Sequence, residues 1–355
     1  MDWYQTNTDD VAWNAPISYA MSGQTTLAAN SARMRTRGFE LELGVDIIKT
    51  PNTLWSFNVN GSTYYTTILE VPEGTGSAQL NGCWTAPADA WSIAGTGGTS
   101  NNITYLRGIG KPYYNMYIYK YGGVDPASGL PLIASTVSST NIDNLKKTSG
   151  NVYGDIVEGN TVYTTDYTLA TRQEFGDATP DFIGGFGTSL KWKNLDFSAQ
   201  FAFQIGGKFL SVADANHYYR SDQTGYYHMS ADLKGNTFTA SNTGARYPMV
   251  ILNNPNSNGY TGGSTIGSWA YTDMALYSAS YLNVKNLTLG YNFPQKWMDK
   301  IGIGGIRVYA SFDNFWMLTT HKGIDPRMSL VGGMDVGAMA YPYMRTCSLG
   351  VNVTF

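Results

Sequence analysis

Residues able to do covalent or metal chemistry are sparse in this chain of 355 residues. Its three histidines, His217, His228 and His321, have no His or Cys partner at ligand spacing, so each reads as a solvated imidazole in a loop or at a strand end. Cys83 and Cys347 make neither a metal-ligand spacing nor a disulfide framework and are expected to be free or buried thiols. No local motif orients a serine and a histidine for nucleophilic attack. Asp125 in Gly-Val-Asp-Pro-Ala-Ser-Gly and Asp325 in Gly-Ile-Asp-Pro-Arg have the oxygen chemistry of calcium ligands, but the alternating Asp/Asn series ending in Gly and Glu is missing. Asp-Pro beside Gly is more simply a turn signal. The pairs Gly184-Gly185 and Gly206-Gly207 precede no strand-to-helix switch, so they fit bulges or close strand approach rather than phosphate loops. The expectation is a protein that is not an enzyme and carries no metal or cofactor.

Non-covalent recognition has better candidates. Trp84, Trp91, Tyr218, Tyr219, Tyr226, Tyr227 and Trp269 stand in segments rich in Gly, Ser, Thr and Asn. Such rings stack on sugars or anchor a partner protein, pack loops against one another, or mark a membrane interface, and the sequence leaves all three readings open.

The elements that must position these residues follow from composition and periodicity. Charged residues are 14% of the chain, where a soluble domain carries about 25%, yet the mean hydropathy is only −0.23. No uninterrupted apolar run reaches the length of a spanning helix, so any membrane crossing must be by strands. The 40 glycines, 26 tyrosines and 9 tryptophans suit a membrane barrel, and equally a soluble β-sandwich. A net charge of −3 with scattered basic residues argues against nucleic acid as a partner. The opening Met1-Asp2-Trp3-Tyr4 has no basic region, apolar core or cleavage site, so the expectation for an exported protein is a mature or truncated chain.

Period-2 alternation recurs along the chain in segments of membrane-strand length. Phe39, Leu41, Leu43, Val45 and Ile47 alternate with Glu40, Glu42, Gly44 and Asp46, and Trp55, Phe57 and Val59 alternate with Ser56, Asn58 and Asn60. Phe182 to Trp192 and Leu195 to Ile205 form two further runs joined only by Lys193-Asn194, which predicts a tight antiparallel hairpin. Ile306, Val308, Ala310 and Phe312 alternate with Arg307, Tyr309, Ser311 and Asp313, and Cys347, Leu349, Val351, Val353 and Phe355 carry the pattern to the last residue. In Tyr281 to Phe293 the phase slips, and a bulge near Lys285-Asn286 repairs it. The polar faces carry Glu, Asp, Arg, Gln and Asn, as a wet lumen would. Connections are unequal: two to a few residues at some turns, dozens in the loops near 69–102, 125–179 and 208–277.

Six stretches, in order, carry a family resemblance: TRGFELEL at Thr36–Leu43 with WSFNVN at Trp55–Asn60, YIYKYGGVDPASGLPL at Tyr117–Leu132, GDATPDFIGGFGTSLKWKNLDFSAQFAFQIGG at Gly176–Gly207, SYLNVKNLTLGYNFP at Ser280–Pro294, IRVYASFDNFWMLTTHKGIDPR at Ile306–Arg327, and YPYMRTCSLGVNVTF at Tyr341–Phe355. Together they resemble the SusC/RagA class of TonB-dependent outer-membrane transporters over nearly the whole chain. The resemblance implies an all-β, antiparallel transmembrane barrel, of which residues 1–355 are roughly the C-terminal half of 22 strands, with the plug domain absent. The chain is then a fragment, or a segment completed by another polypeptide. It further implies import of large nutrients, glycans or peptides, across the outer membrane of a Gram-negative bacterium. The implied partners are a SusD-class surface lipoprotein, the TonB complex acting through the missing plug region, the barrel-assembly machinery reading Phe355, and outer-membrane lipid. Glu40, Glu42, Gln200, Gln204, Arg307 and Asp313 are expected to face the lumen, and Phe39, Leu41, Phe186, Leu190, Phe197, Phe201, Val308 and Leu349 the lipid. The competing function is a non-transporting outer-membrane or secreted β protein, an adhesin or glycan-binding module, that displays loops.

Overall fold

The computed structural model describes residues 1–87, 104–136, 156–158, 161–165, 170–211, 214–215, 230–249, 272–330, 334–335 and 343–355. Eight strands form one antiparallel sheet: β1 (Asp2–Pro16), β2 (Thr26–Thr50), β3 (Thr53–Glu70), β4 (Phe182–Trp192), β5 (Leu195–Ile205), β6 (Tyr281–Asn292), β7 (Gly305–Thr319) and β8 (Thr346–Thr354). Each pairs with its neighbours in chain order, so the sheet is a meander with free edges at β1 and β8. Pro51-Asn52 turns β2 into β3, and Lys193-Asn194 turns β4 into β5 with Lys193 at φ 51°. The two turns are tied together, because the Lys193 amide donates to the Asn52 carbonyl at 2.7 Å. At the same end the helix Gln295–Ile301 joins β6 to β7. The long connections all leave from the opposite end.

Register carries one apolar face across the sheet. Phe39 and Leu41 on β2 oppose Thr63 and Gly61, Val59 opposes Phe186, Phe186 opposes Phe201, and Phe201 opposes Val284. Farther along, Leu289 opposes Ala310, which opposes Leu349. The predicted slip in β6 is present: the ladder jumps from Val284 to Asn286, leaving Lys285 as the extra residue and keeping Leu282 and Leu287 on one face. Among the described residues no second sheet covers that face. Leu41 is 42% exposed, Leu289 48% and Leu349 82%, so the sandwich alternative, in which these residues pack between two sheets, does not hold. Outward aromatics gather at both margins, with Trp55, Trp192 and Tyr291 near the short turns and Trp3, Tyr65 and Trp316 toward the long connections.

The buried core lies elsewhere, among the long connections. Tyr105, Met116, Ile118, Ile133, Leu210 and Tyr247 pack there, on three four-stranded sheets of short strands. One contains Trp84–Pro87, Thr104–Arg107, Asn115–Tyr119 and Arg172–Asp177, and another contains Tyr121–Val124, Pro131–Ser135, Ile156–Glu158 and Thr161–Thr164. The aromatic strand read at Tyr117 therefore belongs to this layer, not to the large sheet. The described parts of the long connections are folded where the sequence, with no steady period, reads as structureless: Pro131–Ser135 is buried at every position and so has no polar face to alternate.

Candidate functional site

The polar face of the large sheet is built by the same register that aligns the apolar one. Glu40 opposes Ser62, Ser62 opposes Ile183, and Ile183 opposes Gln204; Gln200 opposes Asn286, which opposes Asp313. Glu40, Glu42, Gln200, Gln204, Arg307 and Asp313 thus share one face, as their alternation requires. A cavity of about 620 Å³ runs along it, lined by Glu40, Glu42, Asn60, Ser62, Gln204 and Tyr281 among others. Asp2 adds a third carboxylate and, among the described residues, no lysine or arginine side chain lines it, so the side-chain charge there disfavours polyanions.

Farther across the face the charges pair. Arg307 on β7 reaches over β6 to Asp196 on β5, with Nη2 to Oδ2 at 2.5 Å and Nε to Oδ1 at 3.1 Å. Gly290 lies beneath them: a Cβ there would sit 2.4 Å from Arg307 Nη2 and 2.5 Å from Asp196 Oδ2. Asn292 donates a further bond to Asp196 at 3.0 Å, and the Arg307 guanidinium lies 5.0 Å from the Tyr309 ring centre. Asn286 donates to Asp313 at 2.7 Å and to Ser311 at 3.0 Å. These contacts make a polar lining whose groups are held by one another.

A second cavity, of about 610 Å³, opens where this sheet meets the loop layer. Tyr64, Asp177, Thr179, Asp181, Lys208 and Tyr277 line it. Burial pushes the Asp177 carboxyl above its usual range, even though the Thr179 amide donates to it at 3.1 Å. Beside the cavity Tyr277 stacks on His321 with ring centres 3.7 Å apart, and His321 Nε2 stands 2.7 Å from Asp214 Oδ2. His321 is therefore held between a ring and a carboxylate rather than solvated, a correction with a simple cause: Tyr277 and Asp214 both come from the connection between β5 and β6 and leave no local spacing to read.

No family model matches the chain. It is 25% identical over 364 residues to TonB-dependent receptor P3 of Formosa agariphila, covering 100% of this chain and 32% of that protein. It is 24% identical over 361 residues to TonB-dependent receptor SusC of Bacteroides thetaiotaomicron, covering 100% of this chain and 30% of that one. The structure of the RagAB peptide transporter superposes with a TM-score of 0.69 at 22% identity, over 99% of this chain and 33% of that one; the RagAB peptide importer in its open-open state gives 0.70 at 20% identity, over 99% and 32%. This chain is a distant homologue of the SusC/RagA-class TonB-dependent receptors. It spans about a third of the length of these relatives. Its antiparallel sheet matches part of the fold of those solved structures.

Of the expected recognition residues, Trp84 lies among those described. Trp84 packs edge-on against Trp13, ring centres 5.0 Å apart, and Trp13 meets Tyr113 at 6.3 Å, an arrangement that joins a connection to β1. Trp91, Tyr218, Tyr219, Tyr226, Tyr227 and Trp269, with His217 and His228, lie outside the described residues. Asp125 serves a turn: its carboxylate accepts the amides of Ala127 at 3.2 Å and Ser128 at 3.1 Å. Asp325 likewise accepts the Arg327 amide at 3.0 Å and pairs with its guanidinium. Cys83 is buried and Cys347 exposed, both free. Asp196, Asn286 and Asn292 are the polar-face residues that the sequence reading passed over. The available signal was register for two of them, Asn286 opposite Gln200 and Asp313 and Asn292 opposite Arg307, and for Asp196 only its polar phase along the strand.

Proposed function

We propose that this chain forms part of the wall of a plugged barrel of about 22 strands, which imports large nutrients, glycans or peptides, with energy delivered through TonB. The observation that carries the reading is the two-faced sheet: one face apolar, uncovered and edged with aromatics, the other lined with paired and unpaired polar groups, on a chain whose relatives are TonB-dependent receptors. The apolar face, with Phe39, Leu41, Phe186, Leu190, Phe197, Phe201, Val308 and Leu349, meets lipid; the face with Glu40, Glu42, Gln200, Gln204, Arg307 and Asp313 meets the lumen. The loop layer stands outside the cell, where a SusD-class lipoprotein closes over it and where the aromatic clusters contact substrate or that partner. A plug from the remainder of the polypeptide gates the lumen, and Phe355 serves the assembly machinery as a recognition signal.

The carboxylates Asp2, Glu40 and Glu42 select against polyanionic cargo. Uptake of labelled neutral oligosaccharides, cationic peptides and acidic peptides by cells carrying the complete receptor gene tests both levels. Energy-dependent uptake that disappears on deletion of the gene is the expected result, and a Glu40→Lys, Glu42→Lys variant is expected to shift preference toward acidic cargo by about tenfold, the scale of two altered field charges. Receptor that reaches the outer membrane yet supports no uptake of any of the three classes would point to a display function instead.

A further inference from the structure

Above its apolar belt the lipid-side face changes chemistry. Rising along β2 from Leu41 and Phe39 toward the long connections, the next positions in phase are Arg37, Arg35 and Arg33. Register keeps them on that face: Arg37 stands between Gln5 and Tyr65, and Arg35 between Asn7 and Thr67, one and two steps above the Trp3–Phe39–Thr63 row. The opposite face at this height is sealed by protein, with Ala32 and Ile68 both 0% exposed and Thr36 bonded to Thr66 across the strands at 2.9 Å. The arginines therefore project away from the interior, above Trp3 and beside Tyr65 at the margin of the belt.

From β1 each guanidinium is braced at Nε: Arg33 by Asp9 at 2.5 Å, Arg35 by Asn7 at 3.0 Å and Arg37 by Gln5 at 2.9 Å. Two of the three braces are neutral amides. Arg33 is answered by Asp9 and, at 3.6 Å, by Glu70; among the described residues Arg35 and Arg37 have no carboxylate partner. At Arg35 and Arg37 bracing at Nε fixes the plane of the fork and, among the described residues, leaves the two terminal nitrogens, the pair that grips phosphate oxygens, without a carboxylate. Alternate positions on a strand are about 7 Å apart, so three like charges are stacked in a row where a single apolar choice would have continued the belt.

We propose that Arg33, Arg35 and Arg37 form a docking ladder for the phosphorylated headgroups of outer-leaflet glycolipid, with Arg35 and Arg37 making the phosphate contacts and Arg33 setting the row. The inference rests on the barrel-wall reading, which puts the long connections outside and hence this row at the level of the outer headgroups. An anionic headgroup complements the row's charge, and its acyl chains lie along the apolar belt that continues below on the same face.

The test uses the complete receptor, extracted from outer membranes in mild detergent, alongside an Arg35→Gln, Arg37→Gln variant. Co-purified phosphorylated glycolipid is quantified by mass spectrometry, and rebinding is measured with phosphatidylethanolamine vesicles with or without diphosphorylated lipid A. The variant is expected to retain about tenfold less glycolipid, on the scale of two lost charge-assisted contacts partly screened by salt, while staying heat-modifiable on gels. Equal retention by both proteins overturns the ladder but not the barrel. Complete displacement of the lipid by inorganic phosphate alone would show a simple anion site and overturn the lipid assignment. A receptor that never enters vesicles and shows no heat-modifiability overturns the barrel reading, and the ladder with it.

Discussion

Arg307 and Asp196 show how a single residue type beneath a contact decides whether it forms. They belong to strands separated by β6, and only the missing side chain of Gly290 lets them meet. Both side chains are 29% exposed, so their coupling is expected to be modest, about 0.5–1 kcal/mol, and a double-mutant cycle of Asp196→Asn and Arg307→Gln by denaturant unfolding from vesicles measures it. Gly290→Ala should abolish most of that coupling; an undiminished value would mean that the pair does not need the gap. In the loop layer Glu174 supplies a pH-dependent contact. Lys111 Nζ donates to both its oxygens at 2.8 Å and Asn115 Nδ2 donates at 2.8 Å. Burial works against ionisation, but the two donors outweigh it and hold the carboxyl below its usual range. A carboxyl lowered in the folded state stabilises at neutral pH, and that contribution is lost as pH falls through the lowered value. Hydrogen exchange at residues 115–119 should therefore lose protection on acidification in the parent chain. With Glu174→Gln it should start lower at pH 7 and change less. Asp273 has the opposite sign, since burial raises it, and its contribution falls as pH rises between the unfolded and the raised values. Neither contact was legible beforehand, because Asn115 and Glu174 stand 59 positions apart and Tyr121 and Asp273 152, with no sequence period to betray them.

Whole strands were legible where one face is apolar and the other polar, since a strict period of two arises when the two faces of a strand meet different surroundings. From Phe39 onward β2 to β8 follow it, and even the bulge at Lys285 was readable, because a greasy face that must stay greasy admits a phase slip only with an extra residue. β1 and the upper part of β2 were not read. Asp2–Pro16 and Thr26–Gly38 rise beyond the belt, have polar residues in both phases, and so show no contrast. Their clue was Arg33-x-Arg35-x-Arg37, a charge repeat at strand spacing. The two faces also predict opposite tolerance. Leu289→Lys puts a charge on the uncovered apolar face and should cost about 2–4 kcal/mol if it lies near the bilayer midplane, read as a lowered urea midpoint for refolding into vesicles. Thr288→Lys, one residue away on the polar face, should change that midpoint little. Equal costs would mean that the two faces see the same solvent.

The molecule as a whole is governed by its two free edges. β1 and β8 each present a row of donors and acceptors that no described strand pairs, and in hydrocarbon each unsatisfied group is costly because no water replaces the partner. Eight strands can close into a small barrel in principle, but here the outer strands do not meet, and the sheet matches about a third of much longer receptors. On the barrel-wall reading proposed above, the neighbours of both edges are further strands of the same wall, which ties folding of this segment to theirs. Residues 1–355 produced alone should accordingly aggregate through β1 and β8, and even when refolded with lipid should give neither a compact heat-modifiable band nor steady single-channel conductance. Supplying the remaining strands in the same polypeptide should restore the band. A steady pore from residues 1–355 alone would instead require β1 and β8 to pair with each other, which would make the segment a self-contained small barrel while leaving its lipid-facing and polar faces as assigned.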